Sequence, residues 1–268
     1  MLWGTKCALP VLILAIVVIG NINVHAAPPM GRVVNGTDAS VNDYPFVISL
    51  RGSTGSHSCG GSIVSNQFVM TAAHCVAGRT ASSLSVQYGV SNIAAKGPNV
   101  VAVKRIIQHE LYSPSDNYAN DIALIQVAEP FEFDYKTVAP VQLPTLNFAT
   151  PQVEEGAAGV LIGWGLNATG GTIQTTLQRV DLKIYSDAEC TSRHNGVTDG
   201  RYHICGGVDE GGKGQCSGDS GGPLIYNGQQ VGIVSWSIKP CTVAPYPGVY
   251  CKVSSYVEWI IKNQIIMP

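Results

Sequence analysis

The sequence has few charged residues, and their signs nearly cancel. Of its 268 residues only 13% are Asp, Glu, Lys or Arg, and the formal net charge at pH 7 is −2. Soluble proteins usually carry about 25% charged residues. The longest basic run is the pair Lys104 and Arg105. Nucleic-acid binding needs clustered basic residues that neutralise phosphates, so the composition excludes a nucleic-acid partner.

Long apolar runs are also missing, apart from a short one near the start. Lys6 precedes an apolar run of 13 residues, Ala8 to Gly20, and the small residues Ala26 and Ala27 follow. This run is shorter than the ~20 residues that a membrane-spanning helix needs. A positive, an apolar and a small-residue region in this order are typical of a secretory signal peptide. We therefore expect residues 1–26 to be removed and the protein to be secreted, extracellular and free of membranes.

Metal-binding motifs are absent as well. The sequence has no His-Glu-x-x-His, and its eight cysteines suit disulfides in an oxidising compartment better than a zinc site. Cys7 leaves with the signal, and an odd number remains, so at least one thiol lacks an internal partner. We expect neither a metal nor a cofactor.

Short apolar runs separated by turn residues make up most of the chain, which contains 30 glycines. Regular short runs with almost no helical periodicity predict an all-β protein built of closed antiparallel barrels. The stretch Val138–Thr145, with Pro140 and Pro144, is the predicted crossing between two halves. The predicted strands are 45–50, 62–64, 67–70, 84–88, 100–107, 122–127, 158–163, 178–184, 223–226, 230–235 and 248–253.

One helix is predicted, at the C-terminus. Ser255 and Glu258 have the spacing of a capping box, in which each side chain bonds a free backbone N–H of the first turn. The apolar residues that follow fall on one face at helical spacing and predict packing on the second barrel. They are Val257, Ile260, Ile261 and Ile265, with Gln264 beside them.

A glycine-rich stretch carries a candidate nucleophile. Ser220 lies in Gly218-Asp219-Ser220-Gly221-Gly222-Pro223, which follows Cys216 and runs directly into an apolar strand. A flexible linker is the alternative, but a linker has no reason to be fixed at both ends in this way. Glycines beside a nucleophile leave backbone N–H groups bare for a developing oxyanion.

Two further segments each carry one candidate. His74 ends a strand in Thr71-Ala72-Ala73-His74-Cys75, and Asp121 begins one in Asn120-Asp121-Ile122-Ala123-Leu124. Each is weak alone, because a single histidine is more often structural and an Asp at a strand start is common. Together, the three segments resemble the signature segments of the chymotrypsin–trypsin family of serine peptidases, in that family's order of His, Asp and Ser.

The resemblance extends from Val33 to the C-terminal helix. Within the family, the sequence is similar to insect-type secreted chymotrypsin- or elastase-like members. It implies two six-stranded antiparallel β-barrels with the active-site cleft between them, and a C-terminal α-helix. Residues 33–140 would form the first barrel, and residues 141–268 the second barrel and the helix. The implied activity is that of a serine endopeptidase.

The resemblance also implies a role for each site residue. Ser220 attacks the scissile carbonyl, His74 transfers the proton and Asp121 orients His74. The backbone N–H groups of Gly218 and Ser220 would hold the oxyanion. The implied disulfides are Cys59–Cys75, Cys190–Cys205 and Cys216–Cys241. Cys251 is left over, either as a buried inert thiol or for an intermolecular disulfide.

Activation is implied near the start of the mature chain. Residues 27–32 would be an activation propeptide, cut after Arg32 by a trypsin-like protease. The new amine of Val33 should then pair with Asp219, because a buried carboxylate without a partner is costly. Calcium-binding relatives carry acidic ligands in a loop that corresponds to Gly89–Asn99, which has no Asp or Glu here.

The residue six positions before the nucleophile is expected at the base of the primary specificity pocket, and here it is Gly214. Ser235, Trp236 and Ser237 should pair with the substrate backbone, with Ser237 and Gly248 as pocket walls. A neutral base gives Lys and Arg no compensation for desolvation. We expect cleavage after Leu, Phe, Tyr or Met, with an elastase-like tilt toward smaller residues. An acid elsewhere in the pocket wall, with Asp209 or Glu210 as candidates, would reverse this preference.

Alternative functions stay open at this stage. A non-enzymatic homologue would normally have lost a triad residue, and none is replaced here. A hydrolase such as a lipase conflicts with the triad order, whereas a role-specialised venom or salivary effector does not. The expected partners are protein or peptide substrates, the activating protease and protein protease inhibitors, and the protein should be a monomer.

Overall fold

The computed structural model describes Met1 and residues 32–94, 99–145 and 153–265. Nearly all of the predicted signal peptide, and residues 27–31 of the predicted propeptide, lie outside the described residues. Within those ranges, no helix combines the length and apolar character that crossing a membrane requires.

The described part of the chain is mostly β-structure, with a few short helices. The strands β1 to β13 are Thr37–Asp38, Val47–Arg51, His57–Ser65, Phe68–Thr71, Ser85–Tyr88, Val100–Gln108, Ala123–Val127, Ala158–Gly163, Gln178–Tyr185, His203–Gly207, Pro223–Tyr226, Gln229–Trp236 and Gly248–Lys252. The segment α1, Arg32–Asn35, is an irregular turn, because Val33 and Val34 have non-helical backbone angles. The α-helices α2 to α4 are Ala73–Val76, Asp187–Arg193 and Val257–Gln264. Two 3₁₀ turns lie at Ala81–Ser83 and Val253–Tyr256.

The first barrel closes in the strand order β2-β3-β4-β7-β6-β5. Its interior is filled by large aliphatic side chains, and Ile48, Met70 and Leu124 are fully buried. Branched and aliphatic residues suit this position because they pack well on a pleated surface with two buried sides. His74 follows the end of β4, and Asp121 precedes the start of β7. These two strand ends pair with each other, so the two residues lie on the same side of the barrel.

The second barrel joins β8, β9, β10, β13, β12 and β11 into a closed ring, because β8 pairs with both β9 and β11. Its core contains the fully buried side chains of Leu161, Leu224 and Tyr250. The all-β fold of two six-stranded barrels is therefore confirmed. Strand β10 was not predicted, since its sequence His-Ile-Cys-Gly-Gly has too few apolar residues to give a strand pattern.

The two ends of the chain cross between the barrels. Strand β1 pairs with β9 of the second barrel, and Val33 is buried in that barrel's core. At the other end, Tyr256 and Ile260 pack into the core of the first barrel. The prediction that the C-terminal helix packs on the second barrel was wrong, because its apolar face reaches across to the first.

The predicted capping box was also wrong. The 3₁₀ turn Val253–Tyr256 precedes α4, and the N-cap residue of α4 is Tyr256, which makes no side-chain cap. Ile261 and Ile265 are exposed, so the buried face is narrower than predicted. A capped helix lies elsewhere, at α3, where the Ser186 Oγ accepts a hydrogen bond of 3.2 Å from the Glu189 N–H.

Among the described residues, three disulfides join segments of the chain. Cys59–Cys75, Cys190–Cys205 and Cys216–Cys241 are the pairs that the resemblance implied. They join residues 16, 15 and 25 positions apart. Loops of this size contribute about 3 kcal/mol each by the chain-entropy estimate. Cys251 is free and buried, as a structural thiol would be.

Candidate active site

His74 lies on the single turn α2, directly after β4. The neighbours Ala73, Cys75 and Val76 are buried, and Cys75 is bonded to Cys59 of β3. The His74 side chain is 22% exposed. Three of the four residues of this turn are therefore buried, and only the His74 side chain is partly exposed.

Asp121 is fully buried beneath His74 and is surrounded by donors. Its Oδ2 lies 2.7 Å from His74 Nδ1, and its Oδ1 accepts a hydrogen bond of 2.8 Å from the His74 backbone N–H. The Ser235 hydroxyl donates to Oδ2 at 2.5 Å. Because a carboxylate only accepts, Nδ1 must carry the proton that it shares with Asp121. The other ring nitrogen, Nε2, is then an acceptor in neutral His74.

Ser220 lies in a turn whose glycines allow the second barrel to approach the first. Gly221 has a φ of 78°, and a Cβ there would lie 2.1 Å from the Thr71 Oγ1. The Ser220 carbonyl accepts a hydrogen bond of 2.7 Å from the Gly60 N–H. Only glycine fits at position 221, so the close approach is written into the sequence. Half-buried Ser220 is thereby held against the segment that leads into His74.

The loop before Ser220 has donors available for a bound oxygen. Gly218 has a φ of 95°, outside the range that other residues favour. Within the described ranges, neither the Gly218 nor the Ser220 backbone N–H meets a backbone carbonyl. Free N–H groups beside a nucleophile are what an oxyanion hole requires.

His57 was not identified from the sequence, yet it braces this loop. Its Nε2 faces the Gly218 carbonyl at 2.9 Å, and its Nδ1 lies 2.8 Å from the Ser49 Oγ. Burial is the main cause that lowers the pKa of His57 to about 4. Neutral His57 can donate to the carbonyl and accept from the serine, which satisfies both nitrogens. No local pattern signals this role, because it arises from contact between the start of β3 and the Gly218 loop, which are far apart in the sequence.

Two other side chains around His74 also went unrecognised in these roles. The pairing of Ser235 with the substrate backbone stays a prediction, and its hydroxyl has a further role because it bonds Asp121. The ring of Tyr118 meets the His74 ring edge-on, with the ring centres 6.0 Å apart. Tyr118 has a φ of 61°, in the left-handed region that non-glycine residues rarely adopt.

Asp219 is fully buried in the uncut chain and lacks a cationic contact at hydrogen-bonding distance within the described ranges. Its Oδ1 accepts from the Gly165 N–H at 2.8 Å, and its Oδ2 accepts from the Cys216 N–H at 2.9 Å. Burial outweighs these bonds and raises the pKa of Asp219 to about 7. Val33 is still joined to Arg32, so it has no free amine to offer.

A small cavity lies beside the Ser220 loop and contains all three predicted pocket residues, Gly214, Ser237 and Gly248. Its volume is about 260 Å³, including its open mouth. Among the described lining residues, Lys213 is charged and none is acidic. The remaining lining residues are Gly207, Val208, Gly211, Gln215, Thr242, Tyr246 and Pro247.

The candidate acid Asp209 is not among the residues that line this cavity. Its carboxylate accepts from Arg193 Nη2 at 2.5 Å and from the Tyr185 hydroxyl at 3.1 Å, and it lies 3.5 Å from Lys183 Nζ. These partners neutralise Asp209 on the surface. It therefore does not supply charge to the pocket.

One group of side chains has the composition of a metal site. The ligand atoms of Cys59, His74 and Cys75 lie within 4.8 Å of one another. Both sulfurs belong to a disulfide, so neither is a thiolate that could bind a metal. The cluster is the packing of a disulfide against the histidine turn.

Comparison with known proteins gives matches along most of the chain. The family model described as trypsin matches residues 33–260. "Chymotrypsin-2" of Vespa crabro is 40% identical over 233 residues, 87% of this chain and 100% of that protein. "Trypsin Blo t 3" of Blomia tropicalis is 38% identical over 236 residues, 86% and 85% of the two chains. "Trypsin" of Phaedon cochleariae is 37% identical over 255 residues, 92% and 96%.

Proposed function

This chain belongs to the trypsin family of serine endopeptidases, and we propose that it hydrolyses peptide bonds through His74, Asp121 and Ser220. The observation that carries the triad is the pairing of His74 Nδ1 with fully buried Asp121 at 2.7 Å. A buried carboxylate is costly unless it is paired. Three hydrogen-bond donors contact Asp121 and supply this pairing.

The proposed reaction has two halves. The Ser220 Oγ attacks the scissile carbonyl while His74 Nε2 takes its proton, and the new oxyanion lies against the Gly218 and Ser220 N–H groups. His74 then returns the proton to the leaving amine, which leaves an acyl-enzyme. Water then attacks the acyl-enzyme while His74 takes its proton, and the product acid leaves as Ser220 is restored. Throughout, Asp121 stabilises the imidazolium that His74 becomes.

We propose that the protein is made as a zymogen and activated by cleavage after Arg32. Buried Asp219, with its pKa raised to about 7, lacks a cation that would favour its charged form. The family match begins at Val33, the residue whose amine the cut would release. Val33 has a φ of 44°, a strained value for a β-branched residue, so the intact bond holds a conformation that cleavage can relax.

The pocket supports a preference for uncharged residues before the scissile bond. Gly214 provides no carboxylate, Lys213 repels a basic side chain, and Asp209 is paired on the surface. Names among the relatives do not decide this point, because they include both trypsins and a chymotrypsin. The narrow cavity favours the chymotrypsin- or elastase-like preference, tilted toward smaller side chains.

The proposed setting follows from the sequence. The signal peptide directs the protein to the extracellular space, where its substrates are proteins or peptides. A trypsin-like protease would activate it, protein protease inhibitors would bind its cleft, and it would act as a monomer.

An active-site-directed fluorophosphonate tests the proposal. In the chain cleaved after Arg32, the Ser220 Oγ should displace fluoride from phosphorus, and peptide mapping should find the adduct on Ser220. His74→Ala should greatly slow labelling, because Ser220 then lacks its base. Labelling of another residue, or equal labelling of the two proteins, would refute the assignment.

A further inference from the structure

Gln215 lies at the primary pocket with its amide orientation fixed. Its side chain is 3% exposed and lines the cavity. Nε2 lies 2.5 Å from the Trp236 carbonyl oxygen and 3.3 Å from the Val249 carbonyl oxygen. Since carbonyls only accept, the atom that faces both must be the NH₂ group.

The other end of the same amide has no partner. Gln215 Oε1 is buried and meets no donor among the described residues. Buried acceptors are almost always satisfied, so an unpaired one on a side chain that lines a binding pocket is a candidate acceptor for a donor that the ligand supplies.

The neighbouring wall makes room for this amide. A Cβ on Gly248 would lie 2.8 Å from Gln215 Nε2 and 2.9 Å from its Cδ. The absence of a side chain at Gly248 therefore lets the Gln215 side chain lie along the pocket. Its amide occupies part of the space that a substrate side chain would otherwise fill.

We infer that Gln215 Oε1 accepts a hydrogen bond from the substrate side chain in the primary pocket. Among uncharged side chains of similar size, the pocket then selects one with a neutral donor, a hydroxyl or a carboxamide. The inference rests on the proposed function, whose pocket it refines. Thr is preferred over Val, and Asn over Leu.

The chemistry of the pocket restricts the donor to a neutral one. A single amide oxygen does not compensate the desolvation of an ammonium or guanidinium group, and Lys213 adds repulsion. A substrate that lacks a donor leaves the acceptor unpaired, and sites built to hydrogen-bond their substrate discriminate strongly against such analogues. The limited width of the cavity favours the smaller members of the donor class.

Matched peptide pairs test this inference on the full chain cleaved after Arg32. Peptides that differ only in Thr against Val, or Asn against Leu, before the scissile bond should show kcat/KM ratios of about 10 in favour of the donor. Gln215→Met keeps the length but removes the acceptor, and the ratios should fall to 1 or below. Gln67→Met is the matched control, because Gln67 also has an unpartnered Oε1 but lies in the first barrel, and it should preserve the ratios.

Binding separates this inference from the proposed function. Product peptides that end in Thr or Val are titrated into Ser220→Ala by calorimetry, where the Thr peptide should bind about 10-fold more tightly. Absence of hydrolysis with this binding preference intact would contradict the proposed activity alone. A kcat/KM ratio of 1 for the peptide pairs in the unsubstituted protein, or a ratio that Gln215→Met leaves unchanged, would overturn the inference. If Gln215→Met fails to fold, Gln215→Leu provides the same comparison, and the unsubstituted ratios decide by themselves.

Discussion

Asp219 should make the uncut chain lose stability as the pH rises from about 4 to 7. In the folded uncut chain, burial keeps the pKa of Asp219 at about 7, whereas its ordinary value is 3.8. Between these values the folded protein holds a proton that the unfolded chain has released. The stabilisation is therefore complete below the unfolded pKa and is lost as the pH rises through the folded one. A shift of roughly three units at 1.36 kcal/mol each gives about 4 kcal/mol.

Several histidines act in the opposite direction over part of this range. Burial lowers the pKa values of four histidines: His57, His109, His194 and His203. Their contribution to the free energy of unfolding therefore rises with pH, because the unfolded chain holds the protons that the folded protein has released. The contribution of Asp219 must therefore be measured as a difference. Asp219→Asn cannot ionise and retains the histidines, which makes it the matched reference.

Urea unfolding with intact disulfides measures the difference. Ser220→Ala, with and without Asp219→Asn, is unfolded at pH 4.5 and pH 7.5 with the Arg32–Val33 bond intact. The free-energy difference between the two proteins should move by about 3 kcal/mol against the protein with Asp219 at the higher pH, because these two pH values span most of the range between the unfolded and folded pKa. A difference that is the same at both pH values would refute the reasoning. After cleavage at Arg32 the Val33 amine should abolish this loss.

Three further predictions follow from particular contacts. Arg32→Gln should block activation by trypsin and leave the fold intact, as turnover after trypsin treatment and circular dichroism would show; full turnover of the intact chain would contradict the switch. Ser235→Ala should lower kcat about 10-fold or more, because hydrogen bonds to charged groups contribute about 1.5–3 kcal/mol and this one orients Asp121; an unchanged kcat would refute its role. Gly221→Ala places a Cβ 2.1 Å from a threonine oxygen and should unfold at much lower urea than Gly228→Ala, which has a similar φ but no atom within 4 Å; equal midpoints would contradict the close approach.

The strands were largely predictable because short apolar runs, alternating or continuous, are a local property of the sequence. All eleven predicted runs overlap strands of the two barrels. Strand β10 escaped because Gly206 and Gly207 carry no pattern; pairing with β9 and β13 on both sides makes it a strand. Its existence depends on its neighbours.

The helices show how a correct motif can be placed wrongly. Ser255 and Glu258 fit a capping box, but the chain leaves β13 through a 3₁₀ turn that moves the start of the helix to Val257. The same spacing at Ser186 and Glu189 does cap a helix. Tertiary packing decides between two identical local signals.

The site residues also divide into those that a local segment identifies and those that depend on long-range contacts. His74, Asp121 and Ser220 lie in distinctive local segments, so the sequence could identify them by resemblance. The roles of His57 and Gln215 depend on carbonyl groups of residues distant in the sequence, Gly218 and Trp236. Such contacts leave no trace in local sequence, and only the folded chain reveals them.

The triad is tested most directly by the turnover of Ser220→Ala. The substituted and unsubstituted chains are both cleaved after Arg32, shown to be folded by circular dichroism, and assayed with the same peptide substrate. Loss of the nucleophile should reduce kcat by at least ~10⁴-fold, the scale of triad substitutions. A pure, folded Ser220→Ala protein that keeps substantial turnover would contradict the account.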